Sequence, residues 1–204
     1  MVRLSRSNLI ITSILGLAVS AVPAAAQSEE SPAENEVSVQ AFGSFVKSTT
    51  SNGIDNNATN SGDVLGTYRY FFNVHNGIEA NYGYSLNTQS YGLESGPLGV
   101  KTYSHEATAA YVFRAPMRHF TPFVLAGVGG LVFDPKDFAA ANTQARAAFV
   151  YGAGADFNLS HGFFMRAEYR GLVYNSPTYN LPALAGVDRT THRAEPSIGF
   201  GYRF

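Results

Sequence analysis

The chain contains no cysteine and no tryptophan among its 204 residues. Without cysteine there are no thiolate metal sites and no disulfide framework, which suits an exported protein whose stability comes from elsewhere. Basic residues do not exceed acidic ones, at 14 against 15, so no cationic surface for nucleic acid is indicated. Long apolar runs are also scarce. Only Leu9–Val22 is continuous, and it is short of the roughly 20 residues that a spanning helix needs. A polytopic helical membrane protein is thereby excluded. A barrel, whose strands alternate in polarity, is not.

The first 26 residues read as a signal peptide. Arg3 and Arg6 supply a positive start, Leu9–Val22 an apolar centre, and Ala24-Ala25-Ala26 a small-residue cleavage site. Residues 27–35 are polar and acidic and read as a flexible lead-in. The remaining chain, 36–204, divides into eight segments of period-two character near 36–47, 64–73, 77–87, 102–114, 120–132, 146–158, 162–174 and 191–204. Three connections are short, at 73–76, 115–119 and 158–161. Four are long and polar, at 48–63, 88–101, 133–145 and 175–190. Short periplasmic turns and longer outer loops are the signature of an up-and-down antiparallel transmembrane β-barrel of eight strands, with both ends on the short-turn side.

Alternation sets the faces. In the last segment Ala194, Pro196, Ile198, Phe200, Tyr202 and Phe204 oppose Arg193, Glu195, Ser197, Gly199, Gly201 and Arg203. In 162–174, Phe163, Met165, Ala167, Tyr169 and Val173 oppose Arg166, Glu168 and Arg170. An arginine on the lipid side at the bilayer midplane costs about 2–4 kcal/mol, so the charged face must turn inward. The expected interior charge cluster is Arg69, Glu79, Glu106, Asp156, Arg166, Glu168, Arg170, Arg193 and Glu195, joined by Asn81. An eight-stranded barrel has room only for side chains, so these groups should form a hydrogen-bonded ionic plug. A narrow water-filled pore is the alternative. Gly152, Gly154, Gly199 and Gly201 share the inward phase and are expected to make room for Arg166 and Arg170.

Aromatics collect beside the short turns. Phe72, Phe113, Phe120, Phe157, Phe163, Tyr202 and Phe204, with Phe71, Tyr111 and Phe164, are expected to form a periplasmic girdle at the membrane interface, built without tryptophan.

Several motifs invite chemistry and yield to plainer readings. Gly127-Val128-Gly129-Gly130 and Gly152-Ala153-Gly154 are followed by no helical period, so neither is a dinucleotide loop. Asp55, Asn57, Thr59, Ser61 and Asp63 place oxygens at alternate positions, as a calcium loop does. Asn60 and Gly66 stand where such a loop needs Gly and Glu, so a solvated loop is expected. His75, His119 and His161 fall in the three short turns and read as interfacial polar groups without metal. Ser104, His105 and Glu106, with His192 and Glu195, could suggest a lipid-modifying hydrolase. On one strand, though, Ser104 and Glu106 face away from His105, so no local Ser-His-acid site forms.

Thr121–Gly129 and the closing Gly199-Phe200-Gly201-Tyr202-Arg203-Phe204 resemble the OmpA-like, opacity-type group of small eight-stranded outer-membrane barrels. The resemblance covers the barrel alone, with no match to the peptidoglycan-binding domain of larger members. It implies a bacterial outer-membrane location and recognition of the C-terminal strand by the barrel-assembly machinery. It is shared by adhesins, small pores and structural barrels. The expectation is therefore a non-enzymatic barrel without cofactor, with a structural or surface-interaction role. Its polar loops would contact outer-membrane lipid or lipopolysaccharide. A narrow porin-like channel is the alternative.

Overall fold

The computed structural model describes residues 34–204 apart from 48, 52–53, 59–60, 94–95, 137–141 and 180–188. The signal segment and all but the last two residues of the lead-in lie outside them. The described residues form ten strands: β1 (Glu34–Val46), β2 (Thr49–Ser51), β3 (Ile54–Ala58), β4 (Ser61–Phe71), β5 (Asn76–Leu93), β6 (Gly96–Arg114), β7 (Phe120–Pro135), β8 (Gln144–Asn158), β9 (Phe163–Asn175) and β10 (Thr190–Arg203). No helix occurs among them.

Eight of these strands close into an all-antiparallel barrel. Each pairs with its neighbour from β4 through β10, and β1 closes the ring by pairing with both β10 and β4. Within the closed ring no strand is left with a free edge, the condition for a sheet in lipid; in the extension beyond it, β2 and residues 96–101 of β6 pair on one side alone among the described residues. Strand β1 begins at Glu34, two residues before the expected start, because Glu34 and Asn35 pair with Phe71 and Tyr70.

The short turns have local causes. In the first, the Asn73 side-chain oxygen accepts hydrogen bonds from the backbone N–H of His75 (2.9 Å) and Asn76 (2.8 Å). In the third, His161 and Gly162 both take left-handed conformations, at φ 55° and 82°.

At the other end the structure departs from expectation. The segments 48–63 and 88–101 are not simply loops. Strands β5 and β6 run for 18 and 19 residues and pair as far as Leu93 with Gly96. At about 3.3 Å per residue and the usual tilt, they rise roughly 40 Å, against a lipid-facing band of about 25 Å. The hairpin β2–β3 joins this extension through the pairs from Asp55–Gly92 to Ala58–Gln89. The run Thr88-Gln89-Ser90-Tyr91 continues the strand; it resembled a loop because it is mostly polar and leads into Gly92, Gly96 and Pro97.

The connection after β9 also folds inward at its start. Tyr179 is fully buried among Val100, Leu131, Phe133, Val150, Leu172 and Tyr174. Its hydroxyl lies 2.8 Å from Thr102 Oγ1. The Gln144 amide oxygen accepts from the N–H groups of Thr178 (2.9 Å) and Tyr179 (3.0 Å). Burial pushes the Tyr179 hydroxyl well above its ordinary pKa. The barrel therefore has an apolar packing centre in its outer half beside the charged one.

Candidate functional site

The inward positions of the strands place the expected ionic residues in the lumen. Arg69, Glu79, Glu106, Asp156, Arg166, Glu168, Arg170, Arg193 and Glu195 are all buried, as is Asn81. Ladder register makes several of the pairs. Arg69 stands opposite Glu79, with Nε 2.5 Å from its carboxylate. Arg166 stands opposite Asp156, and Arg170 opposite Glu195 at 2.7 Å.

Other bonds cross the lumen. Arg170 and Arg193 both reach Glu106 on β6, and Arg193 also pairs with Glu195 two residues along its own strand. Gln40 on β1 donates to Glu168 Oε2 at 3.3 Å. A chain of neutral groups joins the wall: Thr67 Oγ1 donates to Asn81 Oδ1 at 2.7 Å, and Asn81 Nδ2 donates to Glu79 Oε1 at 2.6 Å. Each of these buried charges thus has a partner of opposite sign or a hydrogen bond, which offsets much of the several-kcal/mol penalty of an isolated buried ion, although Arg69 Nη2, Glu168 Oε1, Arg170 Nη1, Arg193 Nε and Glu195 Oε1 have no hydrogen-bond partner.

The sequence reading missed the end nearest the short turns. Glu36 accepts from Arg166 at 2.8 Å, from Arg114 at 2.9 Å and from Arg203 at 2.7 Å. Strict alternation with exposed Val37 and Val39 was the signal that Glu36 points inward. Arg114 at the end of β6 crosses to β1, where it also meets Glu34.

Two aromatic assignments are corrected. Phe71 and Phe164 are buried, at 1% and 0% exposure, and do not belong to the girdle. Neighbouring residues on a strand face opposite ways, so Phe72 and Phe163 are outward and their neighbours inward. Phe71 carries the Arg114 guanidinium at 3.6 Å, and Phe164 lies 4.9 Å from that of Arg166. Phe123 carries Arg69 at 3.9 Å. Phe72, Tyr111, Phe113, Phe120, Phe157, Phe163, Tyr202 and Phe204 are exposed at the short-turn end.

Of the inward glycines, Gly152 and Gly199 stand opposite Arg170 and Arg166 in the ladder, as expected, whereas Gly154 and Gly201 have a different use. A Cβ on Gly154 would sit 2.5 Å from the Phe123 ring, and one on Gly201 would sit 2.3 Å from the Phe164 ring. These glycines face the two rings directly across the ladder. They make room for the aromatic platforms on which the arginines rest, and only indirectly for the arginines. Gly152 abuts the Arg170 backbone.

The remaining motifs fall apart in space. Ser104 and Glu106 are buried in the lumen, whereas His105 lies on the outer wall with Nδ1 2.8 Å from the Tyr82 hydroxyl. His192 is likewise outside, 2.9 Å from Tyr151 Oη, and Glu195 is inside. His75 Nδ1 lies 3.1 Å from the Arg114 carbonyl oxygen, within its turn. Of the calcium-like run, residues 55–58 belong to the paired strand β3 and residues 61–63 open β4, while Thr59 and Asn60 lie outside the described residues. No group of three or more His, Asp or Glu side chains placed to hold a metal ion occurs among the described residues.

A closed eight-stranded antiparallel barrel with an apolar outer wall and an ionic interior defines a transmembrane outer-membrane barrel. The chain belongs to the family described as the outer membrane protein beta-barrel domain, whose model matches residues 13–204. That family places it in the bacterial outer membrane. Among solved structures it is similar to OprG from Pseudomonas aeruginosa, at 14% identity over 86% of this chain and 97% of that one, with a TM-score of 0.64. Neisserial surface protein A aligns at 10% identity over 84% of this chain and 97% of its own, with a TM-score of 0.59. Ail, the attachment invasion locus protein of Yersinia pestis, was solved in complex with the heparin analogue sucrose octasulfate. It aligns at 23% identity over 84% and 99% of the two chains, with a TM-score of 0.53. At such identities the likeness is one of fold. No curated protein matches the chain.

Proposed function

We propose that this barrel acts through its outer surface and not through its lumen, in a structural or surface-interaction role without catalysis. The carrying observation is the packing of Arg69, Arg166, Arg170 and Arg193, each at most 1% exposed and bonded to carboxylates inside the lumen. An eight-stranded lumen filled in this way leaves no evident path for a solute. The long β5–β6 hairpin, with β2–β3 beside it, supplies a surface that stands above the membrane. On this reading residues 1–26 direct export and the aromatic girdle seats the periplasmic end in the interface. The C-terminal strand is what the assembly machinery reads.

A narrow porin-like channel is the second reading. Ser44 Oγ, Asp63 Oδ1 and Ser85 Oγ are buried in the outer half without hydrogen-bond partners, which favours a polar approach to the ionic cluster. Single-channel recording of the refolded protein in planar bilayers, beside Arg166→Ala, separates the two. A silent wild type supports the plugged barrel. Steady conductance that Arg166→Ala enlarges would replace it with the channel.

A further inference from the structure

The buried charges of the lumen do not quite balance. Seven carboxylates and five arginines are buried among the described residues, and the partly exposed Arg203 joins Glu36 and Asp156 from the short-turn end. Six of those carboxylates are ion-paired with arginine. Asp63 is the seventh, 6% exposed, and the only buried carboxylate among the described residues without an ion pair. Its Oδ2 accepts from Ser61 at 2.7 Å, and its Oδ1 has no hydrogen-bond partner. A lone buried carboxylate is expensive unless a positive charge accompanies it.

Two further orphaned oxygens lie beside it. Ser44 on β1 and Ser85 on β5 are 1% and 2% exposed, and neither hydroxyl has a partner. Backbone register brings both to Asp63. Ser44 pairs with Ser61, the residue that hydrogen-bonds Asp63. The β4–β5 ladder stops at Val64 and Tyr84, and the next residues on the two strands are Asp63 and Ser85, both turned inward. On the other side of β1, the register that joins Phe42 to Ser197 and Phe45 to Ala194 sets Ser44 opposite Glu195. Glu195 Oε1 faces the Arg193 guanidinium but is left without a hydrogen bond. Opposed residues on one sheet face have Cβ atoms about 4.5–5.5 Å apart, so oxygens of these four side chains can converge.

We propose that the outer end of the lumen holds one small monovalent metal cation, bound by Asp63 Oδ1, the hydroxyls of Ser44 and Ser85, and Glu195 Oε1. All four donors are hard oxygens, with no nitrogen or sulfur among them, which suits an alkali-metal ion. Charge sets the valence. Arg170 and Arg193 already answer Glu106 and Glu195, so one positive charge balances what remains. Each hydroxyl has lone pairs to give to the ion while its own hydrogen turns away. Ser61 and Asp63 close the run of alternating oxygens in the first long connection. That run serves a cation across neighbouring strands and not along a single loop.

The test uses the full mature barrel refolded into zwitterionic detergent micelles, with sodium as the probe. Broadening of the sodium-23 resonance reports bound ion directly. Wild type should broaden it saturably, and Asp63→Asn should abolish that contribution. Ser44→Ala and Ser85→Ala should each weaken binding about two- to tenfold, the worth of one neutral polar contact. Asp134→Asn, which removes an exposed carboxylate paired with Lys136, should leave binding unchanged. Urea unfolding gives a second readout. Wild type should resist more urea in sodium chloride than in choline chloride of equal ionic strength. Asp63→Asn should show no such difference, and in choline it should outlast the wild type. A wild type indifferent to sodium in either measurement would overturn the proposal, since Asp63 would then be carried as the neutral acid. Broadening that survives in Asp63→Asn would overturn it too. So would a saturable response to micromolar calcium with none to sodium, which would mean a divalent ion. The wild-type comparison of the two salts decides the matter even if a variant fails to fold.

Discussion

Arg166 on β9 and Asp156 on β8 are direct partners in the ladder and bond twice, Nε to Oδ1 at 2.6 Å and Nη2 to Oδ2 at 2.8 Å. The same guanidinium then reaches Glu36 on β1, so one side chain ties three strands of the wall together. It rests between the rings of Phe123 and Phe164 while doing so.

Arg166→Met should therefore destabilise the barrel by about 3–5 kcal/mol, since it removes both ladder bonds of the buried Asp156 carboxylate and one of the three arginines that hold Glu36. Denaturant unfolding in lipid vesicles measures this. Adding Asp156→Asn and Glu36→Gln should recover part of the loss. A triple variant no better than the single one would mean that packing, and not the uncompensated charge, dominates.

Glu106 joins Arg170 and Arg193 across the lumen. In a double-mutant cycle, Glu106→Gln and Arg170→Met should be non-additive by about 0.5–3 kcal/mol. Additive effects would show that Glu195 alone satisfies both arginines.

Gly154→Ala should displace the Phe123 ring, and Gly201→Ala the Phe164 ring, each at a cost of about 1–3 kcal/mol. Gly66→Ala is the matched control. Its Cβ would face open space on the outer wall, with the nearest atom 3.9 Å away, and stability should stay within about 0.5 kcal/mol.

Tyr179 anchors the start of the β9–β10 connection inside the barrel mouth. Tyr179→Ala should release that segment and speed tryptic cleavage after Arg189, with the barrel itself intact on a heat-shift gel. Alkali should act in the same direction. The buried hydroxyl has a raised pKa, so the stability it contributes is complete below the unfolded tyrosine value of about 10. That stability is lost as pH climbs through the folded value. Cleavage that does not accelerate above pH 10 would count against this anchoring.

Much of this barrel was legible in the residues. Alternation around Arg166, Glu168 and Arg170 allowed one inward face, because lipid would penalise the other. The same period placed Phe72 and Phe163 outside, and had it been applied to their neighbours it would have put Phe71 and Phe164 inside. The polar hairpin beyond Thr88 was hidden because pairing needs only backbone groups, and Asn87, Gln89 and Ser90 with glycines at 92 and 96 advertise a strand poorly.

What the sequence determined by itself was local: eight spans, their two faces, the charged interior and the asymmetry of the connections. Each follows from a period of two and from the solvent on either side of the wall. Tertiary structure decided the rest. Arg170 meets Glu106 64 residues away, and Arg114 meets Glu36 78 residues away, because closure brings β6 within reach of β9 and β1. Tyr179 enters the mouth because an apolar space remains there once the strands have closed. Such contacts depend on register and on the width of the ring, and no alternation along one strand encodes a distance across the lumen.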